Sequence, residues 1–204
     1  MAVDESRIVL GVLNAVDYES AVTQRDLART LGVSLGLINV YLKRCLRKGV
    51  IKVTQAPARR YRYYLTPHGF AEKARLTAEF LDQSFRLFGL ARGECASIFA
   101  DCVARGWGRI ALWGTSELAE IAVLVAAGQP VRLVGVVAAA AGVESFAGLP
   151  AAATLAAFGA VDAVILVDPC IPPAAEQALR AEIAAERIFA PALLGLTRYH
   201  RGGL

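Results

Sequence analysis

The chain has 204 residues, a net charge of +4 at pH 7, and 56% apolar and 20% charged residues, which is enough for two domains of about 100 residues with a core each. No run of about 18 uncharged apolar residues occurs, and the first residues lack the basic start of a secretory signal, so we expect a soluble cytoplasmic protein with no membrane partner. Residues 1–75 hold 13 lysines and arginines against 6 acidic residues, and residues 76–204 hold 9 against 12, which indicates that only the first part meets a polyanion.

Three helices are predicted near the start of the chain. The stretch ESRIVLGVLNAVDY has apolar residues at helical spacing. In TQRDLARTLG, Thr23 is a suitable N-cap and Gly32 a suitable helix end. Ser34 can cap a third helix that runs to Lys48 and stops at Gly49. Two helices joined by a short turn that contains glycine are the pattern of a helix-turn-helix.

The third helix has two different faces on a helical wheel. The apolar face is predicted to pack and consists of Leu35, Ile38, Tyr41, Leu42 and Cys45. The opposite face consists of Gly36, Asn39, Val40, Lys43, Arg44 and Arg47. This face suits a DNA major groove, because glycine permits close approach, Ser34 and Asn39 can hydrogen-bond base edges or phosphate, and the three cations can neutralise phosphate. The alternative is an ordinary amphipathic helix with solvated charges.

A β-hairpin is predicted directly after this helix. Val50–Thr54 is expected to form a strand, QAPARR a turn, and YRYYL the returning strand. Three arginines stand at and just after the hairpin tip, namely Arg59, Arg60 and Arg62. In a winged helix such a hairpin lies along the sugar-phosphate backbone or enters the minor groove, where arginine is favoured. Tyr61 and Tyr63 share one face of the strand, and we expect them to pack under the wing rather than to contact bases.

Residues 5–75 resemble a winged helix-turn-helix of the MarR-like group, in particular the small regulators of the exopolysaccharide-associated type. The resemblance lies in QRDLARTLGVSLGLINVYLKRCLRKGVIKV and RYYLTPHGFAEKARLT and covers about a third of the chain. The family binds double-stranded DNA, usually as a dimer. The resemblance implies a recognition role for Ser34, Gly36, Asn39 and Lys43, and a wing role for Arg59, Arg60 and Arg62.

A mostly helical segment is predicted from Pro67 to Gly106. It has an apolar stripe that consists of Phe70, Ala74, Leu81, Phe85, Leu87 and Phe88. In a monomer this stripe must lie against one of the domains, and in a homodimer it can form the subunit interface. We favour the dimer, because a protein that binds both half-sites of an operator must have two DNA-binding domains. Residues 1–75 are therefore assigned to a DNA-binding domain and residues 76–105 to a linker and dimerisation helix.

Residues 106–204 alternate between strand and helix patterns. Arg109–Trp113 is a predicted strand, a helix follows to about Ala127, and Val131–Val137 is a second apolar strand. Unbroken β-branched runs indicate strands that are buried on both faces, as in a parallel sheet. The chain is therefore expected to be α/β overall, with an α+β winged helix followed by a Rossmann-like, doubly wound parallel sheet.

The dinucleotide fingerprint of this second domain is degraded. The G-x-G-x-x-G/A positions are occupied by GTSELA, so the middle glycine is Ser116, and Glu117 brings a negative charge to the helix start. Ala138 stands where an acid would bind a ribose. The stretch resembles the Rossmann-like domains attached to sugar-modifying enzymes, and the domain order resembles redox-sensing repressors of the Rex type. No cofactor is assigned, although a dinucleotide or nucleotide sugar stays open; a ligand is expected near Gly114, Thr115, Ser116, Ala138 and Asp168.

Catalysis and metal binding have little support in the sequence. GTSEL lacks the second glycine of a nucleophile elbow. The cysteines stand singly at 45, 95, 102 and 170, and are interpreted as buried structural thiols rather than redox sites. The two histidines, His68 and His200, lack ligand spacing. We therefore expect neither an enzyme nor a metal site.

Three functions remain open at this stage. The favoured one is a sequence-specific DNA-binding transcriptional regulator whose C-terminal domain senses a small-molecule effector or mediates assembly. The alternative is a nucleotide- or nucleotide-sugar-binding enzyme relative whose winged helix mediates protein contacts. The third is a winged helix that serves only as an oligomerisation scaffold.

Overall fold

The computed structural model describes residues 5–56, 60–138, 142–169 and 171–196, with the backbone alone at positions 56 and 60. The chain divides into two compact units, Met1–Phe85 and Arg86–Leu204. The division falls within one long helix, so each unit contains a section of it. No helix of the described ranges is both long and apolar enough to span a bilayer.

The first unit consists of helices and one antiparallel hairpin. Its elements are α1 Glu5–Tyr18, α2 Gln24–Leu31, α3 Leu35–Arg47, β1 Ile51–Ala56, β2 Arg60–Leu65 and the first section of α4 Pro67–Ala104. The predicted caps are confirmed. The Thr23 side chain accepts a hydrogen bond from the Asp26 N–H, and Gly32 ends α2 in the left-handed conformation with φ of 63°. These local signals place the turn that joins α2 to α3.

One core holds this unit together. The apolar side of α1 packs with Leu27 of α2, with α3 and with the hairpin. Ile38, Tyr41, Leu42 and Cys45 of α3 are buried, as the wheel predicts. Leu35 is 41% exposed, so its predicted burial is wrong. It is the first residue of α3 and lies at the end of the helix that the core does not cover.

The start of α4 is fixed against the end of α3. The Thr66 hydroxyl donates to the Gly49 carbonyl at 2.6 Å and accepts from the Gly69 N–H at 3.0 Å. The Thr66 N–H donates to the Val50 carbonyl at 3.1 Å. A Cβ added at Gly69 would stand 1.9 Å from the Val50 carbonyl oxygen. The first turn of α4 therefore lies directly against the backbone that follows α3, and only glycine fits at this position.

The second unit contains a mainly parallel sheet. Its elements are the last section of α4, β3 Arg109–Trp113, α5 Glu117–Ala126, β4 Arg132–Val137, β5 Ser145–Phe146, β6 Leu149–Ala152, β7 Ala163–Leu166, α6 Pro173–Glu182 and β8 Ile188–Phe189. The strand order is β5-β6-β4-β3-β7-β8. Every pair is parallel except β5 with β6. The chain proceeds outwards from β3 on one side and then returns to β7 on the other.

Both faces of this sheet are covered. On one face Ile110 and Leu112 of β3 pack with α5 and with the last section of α4. On the other face Ala111 and Trp113 pack with Leu179 of α6. Successive residues of β3 thus enter opposite cores, as the period of a strand requires. This explains why the sequence shows unbroken apolar runs instead of alternation.

Candidate nucleic-acid interface

The exposed side of α3 presents one row of four residues along the helix. Gly36, Val40, Lys43 and Arg47 follow one another at spacings of four, three and four residues and are all exposed. Such spacing keeps side chains on one helical face. A Cβ added at Gly36 would meet no described atom within 4 Å, so the space over this glycine is open. We refer to these four residues as the α3 row.

The two cations of the α3 row are available to an external partner. Lys43 and Arg47 take part in none of the ion pairs found among the described residues. Arg44 differs, because its guanidinium donates to the Glu5 carboxylate of α1 at 2.7 Å. That hydrogen bond raises the pKa of Arg44. The side chain is 40% exposed, so Arg44 lies at the edge of the row with its charge shared with α1.

The polar residues predicted to read bases have different surroundings. Ser34 is exposed, but its hydroxyl oxygen caps α3 by accepting from the Leu37 N–H at 3.2 Å. Its first role is therefore to begin the helix. Asn39 is half-buried beside the α3 row. The structure thus brings Gly36, Asn39 and Lys43 to adjacent positions on one side of the unit.

The wing is described in part. Arg59 lies outside the described residues, and of Arg60 only the backbone is described. Arg62 is exposed on β2 opposite Thr54. A hydrogen bond from Arg62 lowers the pKa of Tyr64. On the same face the Lys52 ammonium stands 5.8 Å from the centre of the Tyr64 ring, so this side of the hairpin contains two cations.

The tyrosine prediction is confirmed for one residue and wrong for the other. Tyr63 is buried, and its hydroxyl accepts from the Gln24 amide at 3.3 Å. Tyr61 is 57% exposed. The reason is its register, because Tyr61 pairs with Gln55 near the far end of the hairpin, beyond the part that covers the core.

Two exposed residues adjoin the predicted contacts without a predicted role of their own. Val40 belongs to the polar face of the helical wheel, where an apolar side chain is itself a signal. Lys52 lies on the same face of the hairpin as Arg62, as strand alternation indicates.

The predicted ligand residues of the second unit meet at the carboxyl ends of the central strands. Gly114 follows β3 with φ of 112°, and its N–H donates to the Val137 carbonyl at 2.9 Å. The Ser116 hydroxyl donates to the Val167 carbonyl. Ala138 is buried and donates its N–H to the Ala152 carbonyl at 2.9 Å. This is the point where the strand order reverses, at which open parallel sheets bind ligands.

The loops at this point are in close contact. A Cβ added at Gly114 would lie 2.6 Å from the Cβ of Asp168. Gly114 is therefore required by the approach of Asp168 as well as by its φ angle. Thr115 is exposed in the loop between β3 and α5. Two acids, Glu117 and Glu120, stand in the first turn of α5, where negative charge opposes the binding of a phosphate.

The described cysteines are buried thiols, as predicted. Cys45, Cys95 and Cys102 are free and buried. Burial raises the pKa of Cys95 and of Cys102 to about 11, so these thiols are poor nucleophiles at neutral pH. Cys170 and His200 lie outside the described residues.

Comparison with known proteins supports the predicted winged helix-turn-helix in the first unit. Residues 5–52 match the family model described as winged helix-turn-helix DNA-binding. No curated protein matches the chain. The chain is similar to a number of solved structures, three of which are described below. A MarR family protein of Mycobacterium tuberculosis in complex with p-aminosalicylic acid is 20% identical, with 40% of this chain and 63% of that chain covered and a TM-score of 0.37.

The second is the S. aureus MepR–DNA complex, at 24% identity, with 42% of this chain and 62% of that chain covered and a TM-score of 0.37. The third is the PcaV transcriptional regulator from Streptomyces coelicolor, at 23% identity, with 52% and 79% covered and a TM-score of 0.41. The chain thus spans less than two thirds of the length of the first two. The match to the family model, together with α1 to β2, identifies the first unit as a winged helix-turn-helix.

Proposed function

We propose that this protein is a sequence-specific, DNA-binding transcriptional regulator of MarR-like type that acts in the cytoplasm. The observation that supports it best is the α3 row. Gly36 leaves space for a partner to approach the helix backbone. Val40 is exposed next to the half-buried Asn39, and the exposed cations Lys43 and Arg47 lie further along the same face. In a helix-turn-helix the start of the second helix contacts base edges and later residues contact the backbone.

The cations in this proposal act on phosphate. Lys43 and Arg47 contact the backbone as α3 leaves the major groove, and Lys52 and Arg62 do so from the wing together with Arg59 and Arg60. Arg44 contributes after it exchanges Glu5 for a phosphate oxygen. Phosphate contacts set register and affinity, whereas sequence is read by groups that face base edges. Ser34 serves mainly to start the helix.

The salt dependence of binding tests this proposal. Duplexes enriched by the protein from a random 30-bp library are labelled, and their dissociation constants are measured by fluorescence anisotropy at several salt concentrations. Each phosphate contact contributes about 0.9 to the slope of log K against log salt. In the proposed homodimer the double variant Lys43→Ala/Arg47→Ala removes two contacts from each protomer, so it should lower the slope by about 3.6 and weaken binding to all sequences alike.

A matched control removes one exposed arginine from the second unit. Arg132→Ala deletes a cation that is exposed at the start of β4, and it should leave both affinity and slope unchanged. If the double variant binds with the affinity and slope of the wild type, α3 is not the DNA-binding helix. If no duplex is enriched above background, the regulator proposal is wrong.

We further propose that the protein is a homodimer that pairs through the middle of α4. All residues from 78 to 90 are exposed. Six large apolar side chains lie in this stretch, namely Phe80, Leu81, Phe85, Leu87, Phe88 and Leu90. Pairing of this stretch with a second copy removes exposed apolar side chains from water, which favours association.

Sedimentation equilibrium tests the dimer. Phe85 is 69% exposed, so Phe85→Glu should leave the fold intact while it places a like charge and an unsatisfied carboxylate in the interface. We expect the variant to be monomeric at concentrations where the wild type is dimeric. Tyr18→Glu is the control, because Tyr18 is 95% exposed at the end of α1. A monomeric wild type would refute the proposal.

For the second unit we propose a Rossmann-like effector or assembly domain, in an arrangement that resembles Rex-type repressors. The parallel strand order and the convergence of Gly114, Ser116 and Asp168 support a ligand at the strand ends. The acidic start of α5 and the contact between Gly114 and Asp168 argue against a dinucleotide. The alternative function, a nucleotide- or nucleotide-sugar-binding enzyme relative, rests on the same strand order.

A thermal-shift screen separates these functions. A ligand that binds only the folded state raises its stability by about 2.7 kcal/mol at a concentration one hundred times its dissociation constant. NAD(H), NADP(H), nucleotide sugars and coenzyme A are the probes. A shift that Thr115→Ala abolishes supports a ligand at the strand ends, because Thr115 is exposed there and its truncation should leave the unfolding transition of the free protein unchanged. If no probe shifts the transition, the nucleotide-binding alternative is ruled out for these ligands.

A further inference from the structure

Val40 is an apolar side chain at the centre of the polar face of α3. Its exposed fraction is 57%, the largest among the large apolar residues of α3. It lies one turn after Gly36 and one turn before Lys43. A single exposed apolar residue on an ordinary surface needs no explanation. The position of Val40 within the α3 row is what makes it informative.

The neighbours of Val40 decide how closely a duplex can approach it. Gly36 has no side chain, and the space over it is open. Lys43 and Arg47 are long enough to reach sideways to phosphates. A groove surface that contacts the backbone at Gly36 therefore reaches the branched methyl groups of Val40 before the other side chains of the row. Val40 lies in the second turn of α3, within the part of such a helix that contacts base edges.

The chemistry of the major groove limits what Val40 can recognise. Three of the four bases present only hydrogen-bond donors and acceptors there, and thymine adds the C5 methyl group. A valine side chain pressed against a donor or acceptor leaves that group without water or a partner, which is unfavourable. Against a thymine methyl it buries apolar surface on both sides.

We propose that Val40 contacts the C5 methyl of a thymine and thereby requires an A·T pair at one position in each half-site. This inference rests on the proposed function, in which α3 enters the major groove. The amide of Asn39, which precedes it on the helix, has the donor and acceptor that suit the major-groove edge of adenine. The two residues together specify a step rich in A·T pairs.

Replacing thymine by uracil removes the methyl group and leaves every hydrogen-bonding group in place. Enriched duplexes are prepared with uracil at one thymine position at a time, in one half-site or in both. Loss of one buried methyl lowers affinity about fourfold. With both half-sites substituted, a dimer should lose about 16-fold, because distant and independent effects add in free energy.

The protein side of the test is Val40→Ala. The variant should fold, because the site is exposed and alanine has the higher helix propensity. We expect it to bind the thymine duplex about as weakly as the wild type binds the uracil duplex, and to show no further loss on uracil. Val103→Ala makes the same change at a valine that is 38% exposed in the second unit, and it should retain the full sensitivity to uracil.

The outcomes are distinct. Loss of uracil sensitivity in Val40→Ala alone supports the inference. If wild-type binding is indifferent to uracil at every thymine, or if Val40→Ala keeps the wild-type sensitivity, the inference is overturned while DNA binding stands. In the latter case Leu35, 41% exposed at the start of α3, is the next residue that can reach a methyl group. If no duplex is bound, the proposed function fails first and this inference fails with it.

Discussion

Substitution of Gly69 by alanine should destabilise the first unit, although alanine normally stabilises a helix. Gly69 lies in the first turn of α4, where an added Cβ stands 1.9 Å from the Val50 carbonyl oxygen and 2.9 Å from its carbonyl carbon. These are backbone atoms, and they cannot turn aside as a side chain would. The Thr66 hydroxyl holds the two segments together by donating to the Gly49 carbonyl and accepting from the Gly69 N–H.

The expected magnitude follows from two opposing contributions. Alanine is favoured over glycine in a helix by about 1 kcal/mol. Forcing an extra methyl group into a filled site costs about 1–3 kcal/mol, and a contact with backbone at this distance belongs at the upper end. The net loss is therefore about 2 kcal/mol. For a domain of this size that corresponds to a decrease of roughly 8–16 °C in the melting temperature.

Differential scanning calorimetry measures the effect, with Gly93→Ala as the control. Gly93 lies in the same helix, within its section in the second unit, and a Cβ there meets nothing within 4 Å. The identical substitution should therefore stabilise that unit by about 1 kcal/mol. If Gly69→Ala leaves the first unit as stable as the wild type, the contact between α4 and Val50 is not tight, and the reasoning is refuted.

Three further predictions concern DNA binding and pH. Gly36→Ala should leave the protein at least as stable as the wild type but weaken DNA binding, measured by anisotropy; unchanged affinity would show that no groove approaches Gly36. Glu5→Gln should release Arg44, strengthen DNA binding and increase the salt slope by up to about 2 for the proposed dimer, one contact in each protomer; an unchanged affinity and slope would show that Glu5 does not compete with phosphate for Arg44. Because burial raises the pKa of Cys95 and Cys102 to about 11 from an ordinary value of 9.0, their contribution to stability is complete below pH 9 and is lost as the pH rises through 11. Urea unfolding followed by tryptophan fluorescence should show a smaller loss over this range in Cys95→Ala/Cys102→Ala.

Local signals in the sequence were sufficient for most of the element boundaries. Thr23 and Ser34 cap their helices as predicted, because capping depends on residues only three positions apart. The strand Arg109–Trp113 has the predicted bounds. The unbroken apolar run of this strand in the sequence indicates that both of its faces are buried, and they are. Periodicity likewise identified the buried face of α3, where Ile38 is fully buried.

Contacts between distant residues were beyond the reach of the sequence. The pairing of Arg44 with Glu5 joins residues 39 positions apart, and nothing in either local pattern indicates it. The approach of Gly69 to Val50 and of Gly114 to Asp168 likewise depends on the tertiary packing. Leu35 was misjudged for the same reason, since a wheel describes the face of a helix but not where the core ends.

Two of the three glycines within helices of the first unit, Gly36 and Gly69, have different surroundings. Each costs helix stability relative to alanine. At Gly69 the reason for glycine is internal, because Val50 occupies the space that a side chain would need. At Gly36 no described atom lies within 4 Å of the missing side chain, so packing among the described residues does not account for the glycine. Because Gly36 heads the same row as Lys43 and Arg47, the proposed approach of a polyanionic surface to the helix backbone accounts for both features, whereas a solvated amphipathic helix leaves the glycine unexplained.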